Sequence, residues 1–91
     1  MTVHIGEAAN ATRKKIRNYI AENLLLGSGE TLDDEASLLD SGILDSTGAI
    51  EMVAFLESAF AITIADHELV AENLDSVARI AAFVEAKLAG N

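Results

Sequence analysis

Three Asp-Ser pairs are the residues of this chain whose type and spacing most directly suggest chemistry: Asp40-Ser41, Asp45-Ser46 and Asp75-Ser76. A serine hydroxyl can act as an attachment point or a nucleophile, whereas the same dipeptide can simply cap a helix. A helix cap explains Asp75-Ser76, and a turn completed by Gly42 explains Asp40-Ser41. Asp45-Ser46 could also be only a cap, but it ends a long loop and begins an amphipathic helix.

The rest of the sequence argues against catalysis by the chain's own side chains. A serine nucleophile needs a base, and the histidines are His4 in the N-terminal tail and His67 in the weakest predicted helix. Without cysteine there is no thiolate metal site. The acidic clusters lack the alternate positions and central glycine of an EF-hand loop. We therefore predict no catalytic residue and no metal site.

Positive and negative charges are unevenly distributed along the chain. The basic residues are Arg13, Lys14, Lys15, Arg17, Arg79 and Lys87. Residues 18–78 contain no Lys or Arg but hold thirteen of the 15 acidic residues, within a net charge of -9. Nucleic-acid binding requires cations that displace counterions from phosphates, so no nucleic-acid partner is predicted. The acidic middle of the chain instead favours protein partners with basic surfaces.

Length and hydropathy predict one small soluble domain. The 91 residues, 51% of them hydrophobic, suit a single domain over residues 1–91, in which we expect residues 1–6 to be flexible. No apolar run approaches the roughly 20 residues needed to span a bilayer, and the N-terminus lacks a signal-peptide pattern. We therefore expect a cytoplasmic monomer with no membrane partner.

Helical periodicity and the absence of proline predict an all-α fold. The first helix is expected from about Glu7 to Leu25 and to end at Gly27-Ser28-Gly29. Its buried face is predicted to contain Ala9, Thr12, Ile16, Ile20 and Leu24. A loop from Glu30 to Asp45 follows, with apolar anchors at Leu32, Leu38, Leu39, Ile43 and Leu44. So long a loop in a small domain is more often functional than not.

A second helix is predicted from Ser46 to Phe60, with Asp45 as its cap. Its core face comprises Ala49, Met52, Val53, Leu56 and Phe60. A separate stripe, spaced by four residues, comprises Ser46, Ile50 and Ala54, is shared with Glu57 and is bordered by Thr47 and Glu51. Two apolar side chains thus lie off the core face, in line with Ser46.

The remaining chain predicts a short helix and a last long one. Residues from Asp66 to Leu74 allow about two helical turns. After the Asp75-Ser76 cap, the last helix is expected to stop at Gly90. Its predicted buried face is Val77, Ile80, Ala81, Val84 and Leu88. The predicted architecture is therefore three main helices and one short helix around a single core, with a long loop between the first two.

The run from Leu39 to Gly48, Leu-Asp-Ser-Gly-Ile-Leu-Asp-Ser-Thr-Gly, resembles the attachment segment of acyl and peptidyl carrier proteins. The resemblance continues through Ile50-Glu51-Met52-Val53 and Leu56-Glu57 to the last helix. It implies a four-helix bundle in which a phosphopantetheinyl transferase joins 4'-phosphopantetheine, taken from coenzyme A, to a serine. Ser46 matches that serine, and Asp45 the acid before it. Thr47, Ile50, Glu51 and Ala54 fall on the family's partner-recognition helix.

This resemblance also implies the function. Such a carrier holds an activated acyl or aminoacyl group as a thioester, receives it from an activating ligase and passes it to a downstream acyl-transfer enzyme. Thr47 stands where leucine is common, and Ala65 where proline often occurs. The Asp-Ser-Thr-Gly stretch is most similar to stand-alone carriers of aminoacyl or short acyl groups. The alternative is an acidic helical adaptor that docks a partner through Ile50 and Ala54 and has no covalent arm.

Overall fold

Helices account for all the regular secondary structure in the described part of the chain. The computed structural model describes residues 5–26 and 32–90, with side chains from Ala11 onward. The elements are α1 (Ile5–Asn23), α2 (Ser46–Phe60), a 3₁₀ turn (Asp66–Glu68), α3 (Ala71–Leu74) and α4 (Val77–Leu88). The predicted all-α bundle of three main helices and one short one is therefore confirmed. None of these helices has the combined length and apolarity needed to cross a bilayer.

The core lies between the three long helices and receives side chains from each. Its completely buried residues are Ile16, Ile20, Leu38, Met52, Leu56, Val77, Ile80 and Val84. In α2, Ala49, Val53 and Phe60 pack against this core but remain partly exposed. Leu88, predicted to be buried, is 53% exposed, because the last turn of α4 extends past the core. The other predicted core positions of α4 are confirmed.

α1 begins and ends about two residues earlier than predicted. Ile16 and Ile20 are buried as expected, and Leu24 is partly buried, whereas the side chain of Ala9 and the segment Gly27-Ser28-Gly29 lie outside the described residues. The buried Thr12 hydroxyl donates a hydrogen bond to Glu85 Oε2 at 2.5 Å, which joins α1 to α4. Burial of this polar side chain is possible because its hydrogen bond is made inside the protein.

The loop before α2 is anchored to the core at both ends of a closed turn. Leu38 and Leu44 are buried, and the Leu44 amide donates to the Leu38 carbonyl at 2.9 Å. Gly42 adopts a left-handed φ of 80° inside this turn, which confirms the predicted role of this glycine. Leu39, predicted as an anchor, is 42% exposed. The Leu39 side chain is directed outward because it lies in the turn between the buried Leu38 and Leu44.

The segment predicted as a two-turn helix is divided into the 3₁₀ turn and the one-turn helix α3. The helical hydrogen-bond pattern is interrupted because the Glu68 carbonyl accepts from the Val70 amide and from Asn73 Nδ2, each at 2.9 Å. Val70 itself is extended, with φ -126° and ψ 157°. Leu69 and Val70 are consequently exposed at the surface instead of lying along a helix.

Candidate functional site

Asp45 fixes the start of α2, as the sequence predicted. Its backbone is extended, and its Oδ1 accepts a hydrogen bond from the Gly48 amide at 2.7 Å. Gly48 is buried, and a Cβ at this position would lie 3.2 Å from Asp45 Oδ1. The missing side chain therefore leaves room for the aspartate to fold back onto the first turn. This contact satisfies one of the free amides of the helix.

Ser46 is the first residue of α2, and its side chain is exposed to solvent. The amides of a helix N-terminus and its dipole favour an anion, such as the phosphodiester that an attached arm would introduce. The serines of the other two Asp-Ser pairs have structural contacts. Ser41 Oγ donates to the Leu38 carbonyl at 3.2 Å, and the buried Ser76 Oγ accepts from the Arg79 amide at 3.1 Å. The predicted turn is thus confirmed, and of the predicted cap Asp75-Ser76 the serine is the residue that caps α4.

The predicted stripe beside Ser46 forms an exposed surface of α2. Thr47, Glu51 and Ala54 are exposed, and the Ile50 side chain is 68% exposed. The structure therefore brings these four residues together with Ser46. Glu57 differs from them: it is half-buried, and its Oε2 accepts from the Ile64 amide at 2.9 Å. It holds the non-helical segment that follows α2, residues 61–65, and is not part of the exposed stripe.

An open cavity of about 470 Å³ adjoins Ser46. Its lining combines the loop before α2, the first turn of α2 and the segment around α3: Leu39, Gly42, Leu44, Asp45, Ser46, Ala49, Leu69, Val70, Ala71 and Leu74. Sequence reasoning missed this cavity. The sequence contained no direct signal for it, because Leu69 and Val70 were predicted to lie in a helix. Only the structure places these two residues and Leu39 at the surface, although their type favours burial.

The opposite side of α2 is fixed against α1 by aromatic contacts. The rings of Tyr19 and Phe55 stack with their centroids 4.3 Å apart, and Phe60 meets Phe55 edge-on at 6.4 Å. Burial, and secondly the negative charge of Glu51, raise the pKa of Tyr19 above its ordinary value of 10.0. Tyr19 is therefore a neutral packing residue at physiological pH, and it holds α2 with Ser46 and Ile50 facing outward.

Several basic side chains are engaged in contacts with other groups of the protein. Arg13 and Arg17 both bind the Asp34 carboxylate, at 3.1 and 2.7 Å, and Lys87 binds Glu68 at 2.9 Å. The surface beside Ser46 carries the exposed carboxylates Asp45 and Glu51. The site is therefore electrostatically negative, which suits a basic partner surface.

The described side chains contain no group of three His, Cys, Asp or Glu residues placed to hold a metal ion. His67 is exposed in the 3₁₀ turn and does not line the cavity beside Ser46, whereas His4 lies outside the described residues. Ser46 and Asp45 fit a covalently attached anionic group. They provide an exposed hydroxyl, a capped helix start and an adjacent cavity for an extended arm.

This fold and site define a small helical carrier protein, and comparison with known families agrees. The family described as "Phosphopantetheine attachment site" matches residues 14–84. A D-alanyl carrier protein of Streptococcus suis (strain 05ZYH33) is 34% identical over 68 residues, which cover 75% of this chain and 84% of the relative. A D-alanyl carrier protein of Abiotrophia defectiva is 35% identical over 57 residues, covering 63% of this chain and 72% of the relative.

The chain belongs to the phosphopantetheine attachment family. It is a carrier protein whose cofactor is covalently bound 4'-phosphopantetheine, and it holds an activated acyl or aminoacyl group on that arm. Members of this family are modified by a transferase that attaches the arm. Family membership favours this function over that of an adaptor without an arm.

Proposed function

We propose that the protein carries D-alanine as a thioester on a phosphopantetheine arm attached to Ser46. The observation that supports attachment at Ser46 is its position: an exposed hydroxyl lies at the start of α2, next to the cavity. Among the described serines, Ser37, Ser41 and Ser76 are engaged in hydrogen bonds, and Ser58 lies near the far end of α2.

The Ser46 hydroxyl would displace adenosine bisphosphate from coenzyme A, with loss of its proton, to form a phosphodiester. The first turn of α2 stabilises the new negative charge, while Asp45 keeps that turn in place through the Gly48 amide. The arm supplies a thiol, which this cysteine-free chain lacks. That thiol can hold a carboxylic acid as a thioester, which is more reactive than an ordinary oxygen ester.

The names of the relatives support D-alanine as the cargo. The electrostatics of the site are compatible with it, because an aminoacyl thioester has an ammonium group and the surface near Ser46 carries Asp45 and Glu51. We further propose that an aminoacyl-activating ligase loads the protein and that a downstream acyl-transfer enzyme unloads it. Both would dock on Thr47, Ile50, Glu51 and Ala54 of a monomeric carrier in the cytoplasm, where coenzyme A is available.

Intact mass after coexpression with a broad-specificity phosphopantetheinyl transferase tests the attachment site. The wild type is expected to gain the mass of one arm, and Ser46→Ala should abolish the gain. Ser41→Ala and Ser58→Ala are matched controls that should be modified like the wild type. If Ser46→Ala still gains the arm and Ser41→Ala does not, the assignment of Ser46 as the attachment site is wrong. A wild type that never gains the arm would instead favour the adaptor function.

The arm-bearing protein can then be incubated with ATP and a D-alanine-activating ligase. A second mass increase, matching D-alanine and absent with Ser46→Ala, is expected. Suppose that a fatty-acid-activating ligase loads the protein with a short fatty acid, whereas the D-alanine ligase adds no D-alanine. This result would support the carrier function but contradict D-alanine as the cargo.

A further inference from the structure

Asp75, between α3 and α4, binds three consecutive residues of the loop before α2. Its Oδ1 accepts hydrogen bonds from Ser37 Oγ at 2.7 Å and from the Leu39 amide at 3.0 Å. Its carbonyl accepts from the Leu38 amide at 2.6 Å. Ser37 Oγ also accepts from the Asp40 amide at 3.0 Å. One residue of the α3–α4 junction therefore fixes the whole turn from 37 to 40.

The carboxylate of Asp75 is directed to this loop and does not cap α4. Ser76 provides the α4 cap, so the sequence-based explanation of the pair as a cap holds for the serine alone. Hydrogen bonds from Leu39 and then from Ser37 lower the pKa of Asp75 below its ordinary value of 3.8. The carboxylate is consequently ionised at neutral pH, and hydrogen bonds to a charged acceptor are stronger than neutral ones.

The cavity beside Ser46 has two walls that Asp75 connects. Leu39, Gly42 and Leu44 form the loop wall, and residues 69–71 and Leu74 form the opposite wall. Asp75 directly follows Leu74 and is hydrogen-bonded to Leu39. The hydrogen bond from the Leu44 amide to the Leu38 carbonyl extends this connection along the loop toward Ser46. Two hydrogen bonds to the Asp75 carboxylate, together with the one to its carbonyl, thus connect the loop wall to the α3 wall.

We propose that Asp75 is a positioning residue that holds the two walls together and thereby keeps the arm on Ser46 in contact with the cavity. The inference rests on the proposed attachment at Ser46. When the contacts of Asp75 are lost, the loop wall separates from the α3 wall, and the arm spends more of its time in solvent. Asp75 would then control how readily the cargo becomes accessible to partner enzymes and to water.

Amide chemical shifts measured by NMR with and without the arm test this role. In the wild type, attachment should shift Val70 and Leu74 of the α3 wall as well as Thr47 beside Ser46. In Asp75→Ala, the arm-dependent shifts of Val70 and Leu74 should fall to about half or less of the wild-type values, because the closed arrangement is less populated. Those of Thr47 should persist. Asp75→Asn retains an acceptor oxygen and should partly restore the wild-type pattern.

Asp40→Ala is the matched control, since it removes an exposed carboxylate from the same loop and should preserve the wild-type shifts. Ser37→Ala removes one of the two hydrogen bonds to Asp75 Oδ1 and should give a smaller effect in the same direction. These milder variants decide the question if Asp75→Ala does not fold. If the arm-dependent shifts of Val70 and Leu74 are unchanged in folded, arm-bearing variants, the role of Asp75 is overturned, while the attachment at Ser46 stands. A wild type that never gains the arm would overturn the attachment at Ser46 as well.

Discussion

At the scale of single residues, the proposed attachment site and the proposed docking surface are neighbours on one helix. Ser46 and Ile50 lie about one turn apart on α2, and both are exposed. Ile50 is 68% exposed, whereas Leu56 of the same helix is completely buried. An exposed isoleucine adds no packing to the core, but it offers apolar surface beside the arm. We therefore propose that Ile50 belongs to the partner-docking surface.

Truncation of Ile50 should leave stability nearly unchanged and slow the loading of cargo. Ile50→Ala is expected to change the free energy of unfolding by about 0.5 kcal/mol or less, whereas the buried Leu56→Ala should cost about 2–5 kcal/mol. Denaturant unfolding measures both. The initial rate of loading by the ligase should fall for Ile50→Ala but not for Leu88→Ala, which removes another exposed side chain outside the cavity. Severe destabilisation by Ile50→Ala, or an unchanged loading rate, would contradict the assignment.

At the scale of elements, side-chain hydrogen bonds and ion pairs stabilise the short segments around α3 more than regular helical hydrogen bonds do. The Glu68 carboxylate accepts from the Ala65 amide at 2.9 Å and from Lys87 Nζ at 2.9 Å. It therefore joins the 3₁₀ turn to α4. The Ala65 hydrogen bond, followed by that of Lys87, lowers the pKa of Glu68 below its ordinary value of 4.5. The 3₁₀ turn that precedes the α3 wall of the cavity is consequently joined to α4 by an ionised side chain.

The lowered pKa gives a pH dependence with a defined sign. A carboxylate with a depressed pKa in the folded state stabilises the protein above the unfolded-state pKa, and this contribution is lost as pH falls through the folded-state value. Glu68→Gln should therefore be less stable than the wild type at about pH 7, and the difference should shrink toward about pH 3. Urea unfolding at both pH values measures it.

Glu72→Gln makes the same change of charge at an exposed position of α3 and serves as the control. We expect its difference from the wild type to be small at both pH values. A Glu68→Gln variant whose stability deficit is equally large in acid would show that packing, and not the ionised carboxylate, stabilises the turn.

At the scale of the whole molecule, the charge distribution is the feature most relevant to partners. Thirteen of the 15 acidic residues and none of the 6 basic ones lie in residues 18–78, the part of the chain that contains Ser46. Arg13 and Arg17 lie outside that stretch and are bound to Asp34, and Lys87 is bound to Glu68. A basic enzyme surface would therefore be attracted to the site before contact, which raises the association rate.

The loading rate at subsaturating carrier concentration should decrease as salt increases, because charges more than about 8–10 Å apart are screened near physiological ionic strength. Glu51→Gln, beside Ser46, should reduce the slope of this dependence. Glu35→Gln removes an exposed charge from the loop near Asp34 and is the control expected to retain the wild-type slope. A loading rate indifferent to salt would contradict electrostatic steering and favour apolar docking through Ile50.

Local patterns in the sequence determined the three long helices and the main features of the attachment segment. The caps at Asp45 and Ser76, the turn at Gly42 and the exposure of Ile50 were predictable. Each depends on neighbouring residues or on the period of one helix, so no knowledge of distant contacts is needed. The family resemblance, carried by the same local run of residues, agrees with the family match.

Only the tertiary structure decided which residues from separate segments meet. The cavity beside Ser46 forms because a loop and the α3 segment, about thirty residues apart in sequence, become its opposite walls. The contact of Lys87 with Glu68 joins the 3₁₀ turn to α4 across 19 residues, and the contact of Asp75 with Ser37 spans 38 residues. Helical periodicity cannot reveal such contacts, because it describes one element at a time, whereas these hydrogen bonds depend on how the elements pack.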